Sequence, residues 1–313
     1  MRFRAGQPPQ AVPPGDLPAA PGDNLWLEVC REQVVGGDPP PLAHWLGHLH
    51  PLTLDTLRQD RTAHLAVAHS GYLHLRVPLP GPGVPDHPPI CDIVLGQDYV
   101  LTVVDQEHLP WETVWWQYRE GRRSADSVHF ALYHALRALL ERWRAVAEEL
   151  SHRGERISQR LLHLSAKQIL PEIMTVRRQA MRLRGRLLPL RDGLQLCAAG
   201  GGAQPLQEGV RPYFDDLRRE ADEALAAIEA VREAMGEAVQ GFTSVQQTEM
   251  NRVMQIFTVL AVVIAPPMLV ASIYGMNFRI PEYHWPHGYS YALGLIFALS
   301  VGFYAYVRYR HWL

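Results

Sequence analysis

Two long uncharged apolar runs stand out near the end of the chain. The run from Val253 to Phe278 has 26 residues without a charge, and its apolar centre extends from Ile256 to Ile273. The run from Tyr289 to Val307 has 19 such residues. A bilayer core of about 30 Å requires about 20 helical residues, so both runs can span a membrane. They predict two transmembrane helices. The alternative, a buried helical hairpin of a soluble protein, is disfavoured because two such runs in succession are rare in soluble cores.

Apolar positions at helical spacing precede these runs. One helix face is formed by Leu132, Leu136, Leu139, Trp143 and Val146. After a break at Gly200–Gly202, a 4-3 spacing holds for four heptads, at Leu217, Ala221, Ala224, Ile228, Val231, Met235, Ala238, Phe242 and Val245. This spacing is typical of a helix packed along its length against others. We predict one continuous stalk helix from near Pro205 into the first apolar run, about 70 residues and about 100 Å long.

The first third of the chain has shorter elements. Strand-like runs occur at Leu25–Val29, Ala63–Ala68, Tyr72–Val77, Ile90–Leu95 and Tyr99–Val104. Helices are expected at Pro41–His48, around Thr53 and at Trp111–Glu120. Proline- and glycine-rich turns such as Pro80–Gly83 separate some of these runs. The pattern predicts an N-terminal α/β domain.

These patterns divide the chain into seven segments. We expect a disordered Pro/Gly-rich N-terminus (1–23), an α/β domain (24–120), a long-helix stalk region (121–252), a first transmembrane helix (253–278), a loop (279–288), a second transmembrane helix (289–307) and a basic tail (308–313). Arg252 precedes the first span, and Arg308, Arg310 and His311 follow the second. The positive-inside rule therefore places both termini in the cytoplasm and the loop outside. No apolar stretch of signal-peptide type is seen at the N-terminus.

Composition excludes several function classes. The net charge of -2 argues against a nucleic-acid partner. The three cysteines, Cys30, Cys91 and Cys197, are too far apart for a CxxC site and indicate a reducing cytosol for the large part. No phosphate loop, nucleophile elbow or HExxH motif is present, so an enzyme is not expected. His44, His48 and His50 are close in sequence without a second ligand cluster, which favours ordinary surface or partly buried residues.

The end of the first apolar run carries a family motif. Gly275-Met276-Asn277, between two C-terminal spans and after a long helix, resembles the CorA family of divalent cation channels, and Asn251-Arg252-Val253-Met254 begins the span as in that family. Further similar segments are Pro281-Glu282, Asp92–Gly96, Tyr99–Val103, Tyr213–Asp216 and the terminal Trp312-Leu313. The resemblance covers nearly the whole chain except residues 1–23.

The resemblance implies a homopentamer whose first spans line a pore, because a single hairpin cannot enclose one. Gly275, Met276 and Asn277 then form the selectivity filter, where a ring of Asn277 amide oxygens holds a hydrated ion. Gly275 is expected to provide a sharp backbone path that turns Asn277 inward. From the residues alone, Gly and Asn here are more typical of a helix C-cap followed by a turn.

Further site residues follow from the resemblance. The pore-facing positions are Asn251, Met254, Phe257, Ala261, Ala265 and Met268, and Met254 and Phe257 form apolar gating rings. Met268 departs from the family, where a hydroxyl residue is common. Glu282 lies in the periplasmic loop. Asp216 matches the stalk carboxylate of the family's regulatory metal site; a solvated acidic helix face is the alternative.

The sequence therefore predicts an α+β membrane protein, assembled as a pentamer, that conducts Mg²⁺ passively across the inner membrane under a gate. Mg²⁺ is expected as transported and regulatory ion, with Co²⁺, Ni²⁺ or Zn²⁺ as further ions and membrane lipid as partner. A ZntB-type zinc transporter is the alternative within the superfamily, because the loop histidines His284 and His287 suit a softer ion. A non-conducting coiled-coil scaffold anchored in the membrane is the alternative of another class.

Overall fold

A computed structural model describes residues 1–3, 9–12, 24–36, 40–59, 65–81, 84–85, 88–105, 111–120, 126–160, 166–199, 206, 208–277 and 279–310. The chain divides into two compact units, residues 1–238 and 239–313. The predicted fold class is confirmed: an N-terminal α/β domain is followed by long helices and two candidate membrane-spanning helices.

The first unit contains a five-stranded sheet. Its strands are β1 (Leu25–Cys30), β2 (Leu65–His69), β3 (Tyr72–Pro78), β4 (Ile90–Gly96) and β5 (Tyr99–Val104). The order is β1-β5-β4-β3-β2, with β1 parallel to β5 and the other neighbours antiparallel. All five predicted strands are present. Of the predicted Ala63–Ala68 run, residues 63 and 64 lie outside the described part of the chain.

Three short helices cover one face of the sheet. They are α1 (Arg31–Val35), α2 (Pro40–Leu46) and α3 (Pro51–Arg58), and α1 is an element that the sequence analysis did not predict. Alternate strand residues point to opposite faces. On this face Val94, Leu101 and Val103 pack with Leu46 and Leu57 of the helices in a buried cluster. Because both faces of β3 and β4 are buried, these strands show no apolar/polar alternation.

Longer helices pack on the other face. They are α4 (Glu112–Arg119), α5 (Val128–Arg160) and α6 (Ala166–Ala199). The predicted apolar face of α5 is buried at Leu132, Leu136, Leu139 and Trp143. On α6, Gly193 lies against Leu75 of β3, where an added Cβ atom would come within 2.8 Å of Leu75 Cδ2. The domain therefore has three layers, helix, sheet and helix.

Part of the segment predicted to be disordered makes defined contacts. Among its described residues, Phe3 is 1% exposed and lies against Trp115 and Tyr118 of α4, and Arg2 exchanges backbone hydrogen bonds with Gln10. The expectation of disorder therefore does not hold for these residues. The reason is that a single aromatic side chain finds an apolar site on a folded domain, which composition does not reveal.

Helix α7 (Arg211–Tyr274) has 64 residues and includes both the heptad seam and the first apolar run, so the predicted continuous helix is confirmed. It starts six residues after Pro205, with Pro212 in its first turn, where proline is tolerated. The seam is buried at Leu217, Ala221, Ile228 and Met235, whereas Val245 is 62% exposed.

The second unit contains the apolar part of α7 and helix α8 (Gly288–Tyr309). Both helices are long and apolar enough to cross a membrane, with mean hydropathies of 2.4 and 1.6 over their most apolar windows, and only 6% of each window is buried. A soluble core helix would be mostly buried, so this exposure favours membrane spans over the buried-hairpin alternative. Pro266 and Pro267 lie within α7 and do not end it. The predicted last residue of the first span, Phe278, lies outside the described residues.

Candidate pore-lining segment and metal sites

The predicted pore-facing residues occupy one side of α7. At 3.6 residues per turn, Asn251, Met254, Phe257, Ala261, Ala265 and Met268 fall within about 120° of the helix circumference. All six are exposed in the single chain, and the large side chains are the most open, at 63% for Met254, 64% for Phe257 and 68% for Met268. The structure therefore places them on one continuous, uncovered line.

The opposite side of this stretch is less exposed. Val259 is buried, and Val262, Val263, Pro266 and Val270 are half-buried. On α8 the less exposed residues recur every three or four positions, at Ala292, Leu295, Ile296, Leu299 and Ser300. This burial pattern indicates that the two helices of the unit face each other through these sides. The line from Asn251 to Met268 points away from that contact.

The Gly275-Met276-Asn277 motif follows the end of α7 as a turn. Gly275 N–H donates to the carbonyl oxygens of Ala271 and Ser272 at 3.0 and 3.2 Å, and Met276 N–H donates to that of Ile273 at 3.2 Å. Asn277 and Met276 are exposed. The geometry therefore contains the helix C-terminal turn that the residues alone indicated.

The backbone of Gly275 does not adopt a conformation that is reserved for glycine. Asn24 and Gly71 are the residues with positive φ in the described part of the chain, and Gly275 is not among them. A Cβ atom added at Gly275 would lie 3.4 Å from Ala271 O, at the limit of ordinary contact. Within one chain, neither a glycine-only conformation nor lack of space requires glycine at this position.

The loop between α7 and α8 contains a short 3-10 helix, Pro281–His284. Glu282 is half-buried, and its carbonyl oxygen accepts a hydrogen bond from Trp285 N–H at 3.1 Å. A Cβ atom at Gly288 would lie only 2.1 Å from that same oxygen, so this close approach requires glycine. His284 and His287 are exposed.

Arginines pair with most of the acidic residues at the start of α7. Asp215 binds Arg218 at 3.0 Å and Arg219 at 2.6 Å, Asp222 binds Arg218 at 2.7 Å, and Glu220 lies 3.6 Å from Arg144. Hydrogen bonds from Arg219 and then Arg218 hold the pKa of Asp215 below its ordinary value. Asp216 is exposed and has no hydrogen bond or ion pair among the described residues. The pKa of Arg219 is raised mainly by its hydrogen bond to Asp215, and the nearby charge of Asp216 adds to that shift.

No preformed metal cluster accompanies Asp216. Among the residues that the structure describes, no group of three or more His, Cys, Asp or Glu side chains is placed to hold a metal ion. The side chain of His44 lies outside the described part of the chain, and the ring of His50 stacks on His69 with ring centroids 5.3 Å apart. A metal at Asp216 would need ligands from elsewhere.

A buried charge cluster was missed by the sequence analysis. Asp92, fully buried on β4, accepts hydrogen bonds from His74 Nε2 at 2.8 Å, Arg76 Nε at 2.9 Å and Arg31 Nη2 at 2.9 Å. Arg31 also binds Asp105 and donates to Leu57 O at 2.6 Å. Asp92 was quoted only as part of a strand motif, and nothing in its spacing to Arg31, 61 residues earlier, indicates the contact.

This cluster joins α1 and α3 to the sheet. Burial alone would raise the pKa of Asp92, but hydrogen bonds from His74 and Arg76 outweigh it and hold that pKa below its ordinary value. Arg76 also donates to Gln59 O at 3.0 Å, at the end of α3. The role of the cluster is therefore structural, because it holds in place short helices that have little apolar surface of their own.

The fold and the candidate pore-lining segment together define a class of protein. Its members have an α/β domain followed by a long helix that continues into a C-terminal membrane-spanning hairpin. A family model described as CorA-like Mg²⁺ transporter protein matches residues 37–309. The chain belongs to this family.

Individual relatives are distant. The cobalt/magnesium transport protein CorA of Thermotoga maritima is 24% identical over 199 residues, which are 63% of this chain and 56% of that protein. The chain thus matches only about half the length of this curated relative. The structure of the CorA magnesium transporter from Methanocaldococcus jannaschii superposes with a TM-score of 0.72 at 18% identity, covering 92% of this chain and 91% of that one. The ZntB cytoplasmic domain from Vibrio parahaemolyticus gives a TM-score of 0.61 at 11% identity, with 79% and 100% covered.

Proposed function

We propose that this protein is a gated channel through which divalent metal cations, Mg²⁺ first among them, enter the cell passively. The observation that carries the proposal is the uncovered line of α7 residues from Asn251 to Met268, which leads to Asn277 at the helix end. Family membership supports it, and so do the names of relatives that transport magnesium and cobalt.

The conducting unit in this proposal is a homopentamer in the inner membrane with both termini in the cytoplasm. Five copies of α7 place their Asn251-to-Met268 lines around one axis. Because this line points away from α8, the second helix is free to face lipid. The large exposed side chains Met254 and Phe257 form apolar rings, and such constrictions gate by dewetting.

Asn277 acts as the filter in the same scheme. Mg²⁺ gives up its water reluctantly, so a site that selects it must hold the hydrated ion. Five amide oxygens provide acceptors for the water protons without a net charge that would trap the cation. The backbone of Gly275 has no conformation that requires glycine. We therefore propose that glycine is present there because it is small and the five chains converge at this position.

Regulation is assigned to Asp216. Among the described residues it is an exposed carboxylate of this acidic stretch without an arginine partner, as is Glu223, while Asp215, Glu220 and Asp222 are paired. A cytosolic cation would be shared between Asp216 and ligands of a neighbouring copy, and its binding favours the closed arrangement. The membrane potential drives a divalent ion inward with about 4.6 kcal/mol per 100 mV, so no pump is needed and a gate prevents overload.

A zinc transporter remains the second candidate, because His284 and His287 are both exposed in the loop and imidazole suits Zn²⁺. Comparing uptake of Mg²⁺, Co²⁺, Ni²⁺ and Zn²⁺ by the same proteoliposomes decides between the two. A non-conducting scaffold predicts no uptake of any of them.

The test of the proposal is Mg²⁺ flux into liposomes that contain the purified protein. We expect flux for the wild type and its loss, tenfold or more, for Asn277→Ala with the oligomer intact. Gln246→Ala, an exposed amide on α7 outside the predicted line, is the matched control and should keep wild-type flux. Wild-type flux by Asn277→Ala would remove Asn277 from the filter.

A further inference from the structure

A groove of the first unit lies outside the segments to which conduction is assigned. It has a volume of about 810 Å³ and lies between α4, α5 and the start of α7. Pockets for small organic ligands have volumes of roughly 300–1,000 Å³, so its size suits a ligand well beyond a single inorganic ion.

Aromatic side chains form its floor. Tyr213 on α7 contacts Phe130 and Tyr133 on α5 edge to face, with ring centroids 5.0 and 5.4 Å apart. Tyr133 is 6% exposed, whereas Tyr213 is 43% exposed in spite of these two contacts. An exposed tyrosine held by neighbouring rings provides a flat apolar surface on which another ring can pack.

Polar groups at the rim differ in how they are paired. Arg137 donates to Tyr133 Oη at 3.0 Å and lies 3.4 Å from Glu141, and His134 is engaged with Tyr118. In contrast, Arg142, Gln117 and Thr113 line the groove without a hydrogen bond or ion pair to any described residue. Among the described residues, the groove therefore offers the unpaired guanidinium of Arg142, the unpaired amide of Gln117 and the unpaired hydroxyl of Thr113 beside an aromatic floor.

We propose that this groove binds a nucleoside phosphate. The free guanidinium of Arg142 has the planar donor geometry that pairs with a phosphate oxygen pair. The aromatic floor suits the base, and Gln117 and Thr113 can hydrogen-bond its polar edge. A bare phosphate would leave the floor unused, and an uncharged ring would leave Arg142 unused.

The inference goes beyond the proposed channel function and does not depend on it. It is tested by binding of ATP to the full chain in mild detergent, measured by calorimetry with EDTA present so that no metal bridges ligand and protein. Tripolyphosphate and adenosine serve as comparison probes. Tripolyphosphate has the phosphate groups without the base, and adenosine has the base without the phosphate groups. We expect saturable ATP binding, with both fragments at least tenfold weaker.

Variants test the assigned residues. Arg142→Glu and Tyr213→Ala should each weaken ATP binding at least tenfold. Arg156→Glu, which changes another exposed arginine farther along α5 and outside the groove, should stay within twofold of the wild type. Gln117→Ala gives a second, uncharged probe of the rim with an expected loss of about threefold, should Arg142→Glu fail to fold. No ATP binding, binding of tripolyphosphate equal to that of ATP, or ATP binding unchanged by these groove variants would overturn the proposal.

Discussion

At the residue scale, the ion pairing of single carboxylates on α7 determines which of them is available to a cation. Asp216 is exposed and has no ion pair with any residue that the structure describes, whereas its neighbour Asp215 binds two arginines. We predict that Asp216→Ala shifts the closing effect of internal Mg²⁺ to higher concentrations. Patch currents recorded while internal Mg²⁺ is stepped upward from zero measure this. Glu237→Ala, an exposed acid farther along the same helix, is the control; closure over the same range in wild type and Asp216→Ala would contradict the assignment.

Asp92 illustrates the opposite case, a carboxylate that stabilises the fold. Replacing it by Asn at pH 7 leaves Arg76 with an uncompensated buried charge and leaves Arg31 with Asp105 as its remaining partner. Breaking a buried pair of this kind costs about 3–5 kcal/mol. Because the pKa of Asp92 is lower in the folded state, its contribution is present above the unfolded pKa and is lost as pH falls through the folded value.

Thermal unfolding should therefore show that Asp92→Asn is much less stable than the wild type at pH 7. This difference in stability should become smaller below about pH 4. Asp98→Asn, which changes an exposed carboxylate two residues beyond the end of β4, should stay within about 0.5 kcal/mol of the wild type. If the difference in stability between Asp92→Asn and the wild type stayed constant from pH 7 to pH 3, the charge of the Asp92 carboxylate would not be what stabilises the fold.

At the element scale, two glycines inside long helices should respond oppositely to the same change. At Gly154 on α5 an added Cβ atom would meet Val231 and Met235 of α7 at 3.5 and 3.6 Å, which is ordinary contact. Gly154→Ala should then stabilise the protein by about 0.5–1 kcal/mol through helix propensity and a restricted unfolded chain.

Gly193→Ala on α6 has less room. Its Cβ atom would come within 2.8 Å of Leu75, which is 1% exposed and cannot move into solvent. Overpacking of this kind costs about 1–3 kcal/mol, more than the propensity gain. The unfolding midpoint should rise for Gly154→Ala and fall for Gly193→Ala. A rise for both variants would mean that α6 and β3 have room between them for an additional methyl group.

At the scale of the whole molecule, the end of the buried seam on α7 indicates what a single chain lacks. The heptad positions are buried or half-buried as far as Met235, but Val245 and the line from Met254 to Met268 are exposed. Apolar surface of this extent needs lipid or other copies to cover it. Mass measurement in mild detergent should give five copies of the 35.4 kDa chain. A stable monomer or dimer would refute both the pentamer and the proposed pore.

The elements of this fold were largely predictable because each has a local signal. Strands β1 to β5 and the seam of α7 follow from periodicity, which reflects contacts with near neighbours in the chain. Helix α1 was missed because five residues that begin with a buried arginine show no helical period. The continuation of the helix through Pro266 and Pro267 was predicted, since prolines are tolerated in membrane helices where neighbouring groups satisfy the freed carbonyls.

The sequence by itself determined the membrane spans, the continuous helix, the α/β domain and the family motif at Gly275-Met276-Asn277. These follow from local composition, because bilayer thickness sets the length of an apolar run and periodicity sets the helix face. Only the tertiary structure decided which acids on α7 are neutralised, that Arg31 reaches Asp92, that Phe3 is buried, and that Tyr213 and Arg142 line one groove. Those contacts join residues far apart in the chain, so they depend on how helices and sheet pack and not on any local pattern.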